Sequence, residues 1–413
     1  MEVLHQRCAG MDISKRDAKV CVRAPGARNN TFTKVVTVSG AMTRDIIQLR
    51  DYLVAEKVTL VVMEATGDYW KPFYFLLESD LNLMLVNPRH ARNLPGRKTD
   101  VSDAQWLAEL GAHGLVRGSF VPPQPIRQLR DLTRSRTIFV REKSREIQRL
   151  EKLLEDANIK LSSVATRTLG VSGRLMIEAL IAGQRDPMIL ASLAQGRLKN
   201  KSEQLVEALT GRFNTHHAFT AQLHLDQIDS VEHRIQCLNQ RIDTLLTSLP
   251  PWIELLSTIP GVSKTVAEII IAETGGDMNQ FPTPAQLASW AGVCPGHNES
   301  AGKVKSSHTR PGNSHLKGAL GIAAMASTRA NGTYFQARYK RLTARRGPMR
   351  ALVAIEHSMI TAIWHMLTNG AVFEDLGDDY FRRTHASSTR HNTINQLHKL
   401  GYEVELTPLV AAP

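Results

Sequence analysis

The chain has 413 residues, enough for two or three domains with cores of their own, and 51 Lys and Arg against 39 Asp and Glu give a formal charge of +12. Its four cysteines (Cys8, Cys21, Cys237, Cys294) form no CxxC pair or Cys/His cluster, so neither a zinc site nor a disulfide framework is suggested. No N-terminal apolar core suits a signal peptide, and no apolar run approaches the ~18 residues that span a bilayer. A soluble protein of a reducing compartment, the cytoplasm, with no membrane contact is the expectation.

In chain order, Cys8–Ser14, Ala18–Arg23 and Thr31–Val38 read as successive strands, and Cys8 and Cys21 read as small buried hydrophobes within them. Met42–Glu56 has helical spacing, Thr59–Glu64 reads as a buried strand, Trp70–Leu77 as a short helix and Leu81–Val86 as a strand. A helix over Asp100–Leu110, closed by Gly111, completes an α/β domain over residues 1–120 whose element order is that of the ribonuclease H-like fold. Pro122-Pro123-Gln124-Pro125 marks an exit into a helical linker over 121–250. It opens with a charged helix, Ile126–Asp156. It closes with a 3-4-3-4-3 stripe of Ile228, Val231, Ile235, Leu238, Ile242 and Leu245, which fits an intramolecular helical hairpin or a dimer seam. Residues 251–370 read as mainly helical, with Ala267–Glu273, Pro284–Trp290, Ser314–Thr328 and Met349–Leu367 patterned, and 371–413 as a peripheral or partly disordered tail.

Four carboxylates carry the chemistry. Asp12 interrupts the apolar stretch Ala9–Ile13, and Glu64 ends the run Leu60–Val62–Met63. A carboxylate in a buried strand is costly without a partner, and divalent metal is the natural one in so basic a chain. Asp100 and Asp103, three residues apart, would share a helix face, although capping and dipole compensation explain them as well. Four converging carboxylates suit Mg²⁺, with Mn²⁺ as its substitute, in phosphoryl transfer on DNA or RNA. Gly10-Met11-Asp12-Ile13-Ser14-Lys15 would also suit an actin-like ATP site, but Ala65-Thr66-Gly67 is a poor phosphate loop, and Pro260–Thr265 lacks the glycine before lysine of a P-loop.

Ile259-Pro260-Gly261-Val262-Ser263-Lys264-Thr265 resembles a helix-hairpin-helix element in which Gly261 and Lys264 would meet a phosphate. An ordinary helix-turn-helix corner is the plain alternative. From Ala301 to Ile355 there is no Asp or Glu, and eleven Lys and Arg, among them Lys303, Lys305, Arg310 and Lys317, form the footprint of a polyanion partner. Ser300 stands at the edge of that span on a Gly-flanked turn. Such a serine is a nucleophile only where metal or cations stabilise its alkoxide, and spacing by itself does not establish this. His297 is a solvated loop histidine or a proton shuttle.

Taken in order, Met11-Asp12-Ile13-Ser14-Lys15, Met63-Glu64-Ala65-Thr66-Gly67, Lys98-Thr99-Asp100-x-x-Asp103-Ala104, Ile259-Pro260-Gly261-Val262 and Glu299-Ser300-Ala301-Gly302 resemble the motifs of the DEDD insertion-sequence transposases, the IS one-ten family. The resemblance covers most of residues 8–350. It implies a RuvC-like ribonuclease H fold, metal held by Asp12, Glu64, Asp100 and Asp103, and Ser300 as nucleophile in a transposase domain. It further implies a covalent phosphoserine intermediate on DNA (element ends and target), a non-coding bridge RNA, and a homo-oligomer, dimer or tetramer, in a bacterial or archaeal cell, associated with the nucleoid. The chain departs from the family in a longer segment between Asp103 and Ser300 and in a tail without matching motifs. Two rival functions fit the residues: a junction-resolving nuclease that uses the carboxylates without a serine adduct, and a non-catalytic nucleic-acid-binding protein.

Overall fold

The structure, a computed structural model, describes residues 3–28, 31–88, 91, 102–296, 298–306, 308–384 and 386–406. It forms two compact units, Met1–Pro122 and Pro123–Pro413.

The first unit is built on one mixed sheet of order β3-β2-β1-β4-β5. Its strands are β1 (Cys8–Ile13), β2 (Asp17–Pro25), β3 (Phe32–Gly40), β4 (Leu60–Glu64) and β5 (Leu83–Val86). β1, β2 and β3 form an antiparallel meander, whereas β4 and β5 continue from β1 in parallel, each reached through a helix, α1 (Thr43–Ala55) and α2 (Trp70–Leu77). Alternation sorts the side chains into two layers. Ala9, Met11, Ile13, Val61 and Met63 pack with Ile46, Leu49 and Leu53 of α1 and Phe73 and Leu77 of α2. Cys8, Leu60 and Val62 pack on the opposite face with Leu107 and Leu110 of α3 (Asp103–Ala112). Cys21 is buried on that same face against Ala104 and Ala108, and Cys8 is buried too, as small hydrophobes. Burial pushes the Cys8 thiol up to about 12 and the Cys21 thiol up to about 11, so both stay protonated and inert.

α3 starts later than the spacing suggests. Its N-cap is Ser102, which accepts the Gln105 N–H while the Gln105 side chain accepts from the Ser102 N–H. This reciprocal capping box fixes the first helical residue at Asp103 rather than Asp100. Asp100, and with it the expected pairing of Asp100 with Asp103, lies outside the described residues.

In the second unit, α4 (Gln124–Asp156) and α9 (Thr215–Leu246) form a long helical hairpin. The apolar stripe of α9 faces α4, with Ile228, Val231 and Ile242 buried, and polar bonds cross the seam from Arg136 Nη1 to Asn239 Oδ1 (3.0 Å) and between His224 and Glu146 (2.6 Å). Of the two readings of the stripe, the intramolecular hairpin is the one formed. Its tip carries a small lobe of short helices, α5 (Leu161–Val164), α6 (Val171–Ile181), α7 (Pro187–Ser192) and α8 (Ser202–Leu209), around Ile159, Met176, Ile177, Leu180 and Leu205. After it come α10 (Trp252–Ser257), α11 (Lys264–Thr274), α12 (Pro284–Ala291), a two-stranded hairpin of β6 (Asn298–Ser300) and β7 (Lys303–Ser306), α13 (Ser314–Ser327), α14 (Tyr334–Arg346) and α15 (Pro348–Asn369).

Residues 371–384 lie peripherally, packed on α14. Phe373 stacks on Phe335 of α14, with ring centroids 5.6 Å apart, and Phe381 stacks on Tyr334 at 5.3 Å. Arg341 lies over the Phe381 ring, and Asp375 Oδ1 accepts the Tyr334 N–H at the start of α14. Aromatic packing and a borrowed cap hold this segment in place. No helix among the described residues is long and apolar enough to cross a membrane.

Candidate functional site

Strand register brings two of the carboxylates together. β1 and β4 run parallel with Met11 paired to Met63, so Asp12 and Glu64 are the next residues in step on adjacent strands. Neighbouring strands lie ~4.8 Å apart, and residues in step point to the same face. That face is the one covered by α3, because Cys8, Leu60 and Val62 point to it. Asp12 is half-buried and Glu64 is 6% exposed, with Thr66 Oγ1 donating to Glu64 Oε1 at 3.4 Å.

The direction of α3 brings in the third. A Cβ on Gly10 would meet Ala104 O at 2.1 Å and Ala108 N at 2.4 Å, whereas one on Gly111 would meet Val62 Cγ2 at 2.4 Å and Cys8 Sγ at 2.9 Å. The helix therefore runs antiparallel to β1, with its first turn toward the end of the sheet that carries Asp12 and Glu64. Asp103, its first residue, sits there, and so does the positive end of the helix dipole. Glycine at position 10 is required by this close approach, since any side chain would lift the helix from the sheet.

A cation site at this end would draw on carboxylate oxygens only, the donors that Mg²⁺ and Mn²⁺ prefer. Among the described residues, no three His, Cys, Asp or Glu side chains are close enough to hold an ion as they stand. The carboxylate pair with Asp103 nearby is thus a fitting but partial donor set, and Asp100, the expected fourth member, is outside the described residues.

A fourth position on this face was missed in the sequence. Lys19 of β2 pairs directly with Asp12, and Val38 of β3 pairs with Lys19. Directly opposed antiparallel residues share a face, so Val38, Lys19, Asp12 and Glu64 form one row across the sheet. Alternation within β2 places Lys19 on a face, but only strand pairing identifies its neighbour.

The second unit holds the serine. Ser300 ends β6 and pairs with Lys303 of β7 across the two-residue turn Ala301-Gly302, with φ of 52° and 75°. Two consecutive positive φ values are the signature of a type I′ hairpin, so the Gly-flanked turn closes a two-stranded hairpin, and its tip presents Ser300 and Lys303, both exposed. Lys305, also exposed, lies where the register between β6 and β7 shifts. The base is tied down by the bridge between Pro295 and Thr309 and by Lys317 Nζ, which donates to Thr309 Oγ1 at 2.7 Å. His297 is outside the described residues.

The other nucleic-acid candidates divide by the work they already do. Lys317 braces the hairpin, as noted. Gly261, with φ of 92°, packs against α13, where a Cβ would meet Ala323 O at 2.3 Å and Ser327 N at 2.7 Å. Lys264 opens α11 and pairs with Asp243 at 2.6 Å, which raises its pKa through the hydrogen bond to that carboxylate, and Ser263 caps the helix. Gly261 thus permits the close turn between α10 and α11, and Lys264 stands exposed at the start of α11. Of the eleven cations between Ala301 and Ile355, nine are exposed, Arg310 among them, and only Lys317 and Arg338 are half-buried in internal bonds.

At the start of α13 is a buried polar cluster that the sequence did not reveal. Glu273, at the end of α11, is 0% exposed and accepts from Arg134 Nε and Nη2 of α4, both at 2.8 Å, and from Asn313 Nδ2 at 2.7 Å. Asn313 is the N-cap of α13, which follows the hairpin.

With this geometry in view, comparison with known proteins is decisive. A transposase family model of the DEDD, IS110 type matches residues 9–159, and the transposase IS116/IS110/IS902 family matches residues 253–340. The chain belongs to this transposase family. The transposase is 26% identical over 322 residues to the transposase for insertion sequence element IS1111A of Coxiella burnetii, covering 76% of this chain and 78% of that one. It is 24% identical over 379 residues to the pilin gene-inverting protein of Moraxella bovis, covering 88% and 97% of the two chains. A protein of insertion element IS110 from Streptomyces coelicolor is 32% identical over 152 residues, 36% of each chain. The first family match spans the sheet from Ala9 on, α3 and all of α4, and the DEDD domain implies a ribonuclease H-like fold, with which the mixed five-stranded sheet agrees. The chain is accordingly a DNA transposase/recombinase, and its DEDD domain is of a kind that uses divalent metal.

Proposed function

We propose that this transposase cuts and rejoins the DNA of an insertion sequence through a covalent bond to Ser300, with a divalent cation, Mg²⁺ or Mn²⁺, at a RuvC-like carboxylate site. The observation that carries the reading is the register of β1 and β4, which sets Asp12 and Glu64 side by side under the first turn of α3. Asp12, Glu64 and Asp103, joined by Asp100, would hold the cation, whose chemistry is to neutralise charge on the phosphoryl group in transfer. Ser300 Oγ forms a bond to phosphorus as one bridging P–O bond breaks; the serine loses its proton and the departing deoxyribose oxygen gains one. A hydroxyl of a second strand then attacks the phosphoserine and restores the serine. Lys303, paired with Ser300, favours the alkoxide by its charge.

The exposed cations Lys303, Lys305 and Arg310 contact nucleic-acid backbone, that of the element ends and target and of a guiding bridge RNA. Residues 1–120 act as the metal domain, 121–250 as the linker, 251–370 as the serine domain and 371–413 as the tail. The working form is a homo-oligomer in the cytoplasm, on the nucleoid.

The test is an adduct assay on element-end DNA. Ser300→Ala is expected to abolish both recombination and the denaturant-resistant protein–DNA species, and Asp12→Asn to abolish cleavage. Cleavage preserved in Ser300→Ala but lost in Asp12→Asn identifies a hydrolytic junction nuclease instead, and cleavage by neither variant nor parent under any divalent metal identifies a binding protein.

A further inference from the structure

The row that crosses the first sheet has a member without an assigned role. Lys19 lies directly opposite Asp12 on β2, and its other neighbour in the row is Val38 of the edge strand, 65% exposed. Lys19 itself is exposed, and among the described residues its ammonium has no ion-pair partner. Ala104 and Ala108 of α3 cover this face over Gly10 and Cys21, and along the row Glu64 is buried, Asp12 half-buried and Lys19 exposed, so the row meets solvent at Lys19.

A solvent-facing lysine in a strand beside two carboxylates has two explanations. One is simple compensation of Asp12, which a salt bridge would mark. The other is an anion that arrives with the substrate. Opposed antiparallel Cα atoms lie ~4.5–5.5 Å apart, and a lysine carries its point charge on a flexible four-carbon stem. Its ammonium therefore reaches any phosphate drawn to the Asp12–Glu64 end of the sheet. A polyanion at two carboxylates needs fixed positive charge nearby as well as a cation, and the row supplies it from one side only.

We infer that Lys19 is a DNA-phosphate contact of the carboxylate site, a binding residue that sets the strand against Asp12 and Glu64. The inference rests on the proposed role of those carboxylates in handling DNA. Lys57 is the internal comparison: it is equally exposed in the same unit, but it follows α1 and precedes β4, at the opposite end of the sheet from Glu64.

The experiment uses the full chain with DNA from its element ends, with Ca²⁺ in place of Mg²⁺ so that binding is read without turnover. Lysines are acetylated with a small amine reagent and counted by mass spectrometry with and without DNA. Salt dependence of binding is measured by fluorescence anisotropy for the parent chain and for Lys19→Met. The expected result is severalfold protection of Lys19 but not of Lys57, and a slope of log Kobs against log salt that falls in magnitude by about 0.9, the value of one phosphate contact on duplex DNA. Equal labelling of Lys19 with and without DNA, or an unchanged slope in Lys19→Met, overturns it. Asp12→Asn in a cleavage assay under Mg²⁺ separates the two levels. Protection of Lys19 with full cleavage in Asp12→Asn would remove the carboxylate mechanism and leave the contact standing, whereas loss of cleavage with no Lys19 protection would do the reverse.

Discussion

Glu273 offers the sharpest test of how the second unit holds its serine hairpin. Its carboxylate is 0% exposed and is gripped by the Arg134 fork at 2.8 Å and 2.8 Å, with Arg130 Nε 3.5 Å away and Asn313 Nδ2 at 2.7 Å. Removing one partner of a buried pair costs about 3–5 kcal/mol because the other charge is stranded. Arg134 is 38% exposed at its side chain and can turn to water, so its share belongs at the low end. Arg130, 16% exposed, cannot turn away as readily, although the carbonyls of Ala272 and Glu273 still accept from it. Asn313 loses the bond that aims its side chain, and its Oδ1 caps the His315 and Leu316 N–H groups of α13, a cap worth about 1 kcal/mol. Glu273→Ala is therefore expected to destabilise the second unit by about 3–4 kcal/mol in urea unfolding followed by helical circular dichroism, and Glu273→Gln by less. The interaction also has a pH signature. Burial raises the Glu273 pKa, but hydrogen bonds from Arg134 and Asn313 and the charges of Arg134 and Arg130 outweigh it and hold the carboxyl below its ordinary value of 4.5. A folded-state pKa below the unfolded one means stabilisation that is full above about pH 4.5 and lost as the pH falls through the folded value. Stability of Glu273→Ala within 1 kcal/mol of the parent at neutral pH, or an acid limb unchanged by the substitution, would refute the reasoning.

Two further substitutions probe the carboxylate end of the first unit and the serine hairpin of the second. Gly10→Ala puts a methyl 2.1 Å from Ala104 O and 2.4 Å from Ala108 N, both backbone atoms that cannot swing aside; it should cost a few kcal/mol, in the range of overpacked cores, and reduce cleavage by moving Asp103, read as a lower melting temperature together with lower kcat. Ala301→Asn should do the opposite in the hairpin, since Ala301 sits at φ 52° and a left-handed L-residue costs about 1–2 kcal/mol that Asn tolerates better; slower amide exchange of Lys303 with Ser300 chemistry retained is the expected outcome, and faster exchange would contradict the turn assignment.

How far the residues alone foretold this arrangement depended on whether the governing interaction was local. Asp12 and Glu64 stood out because a carboxylate in an apolar run is conspicuous whatever surrounds it. What alternation does not contain is register. The pairing of Lys19 with Asp12 follows from how far β1 runs before the turn closed by Ser14 and Asp17, where Ser14 N donates to Asp17 O at 2.8 Å. The start of α3 at Asp103 was local and legible: Ser102-x-x-Gln105 is a capping box, which satisfies two backbone groups at once. The serine hairpin was obscured by its own chemistry, because Ala301-Gly302 lacks the Asn-Gly signal that a type I′ turn usually carries. The ordered tail and the Glu273 cluster are long-range: Phe373 finds Phe335, and Arg134 finds Glu273 139 residues away, through helix packing that no window of sequence contains. The same division separates the two halves of the chemistry. The carboxylate end was legible because burying charge is improbable by default, whereas an exposed serine violates nothing, so Ser300 became a candidate through the resemblance and gained a defined position only when the hairpin fixed Lys303 opposite it.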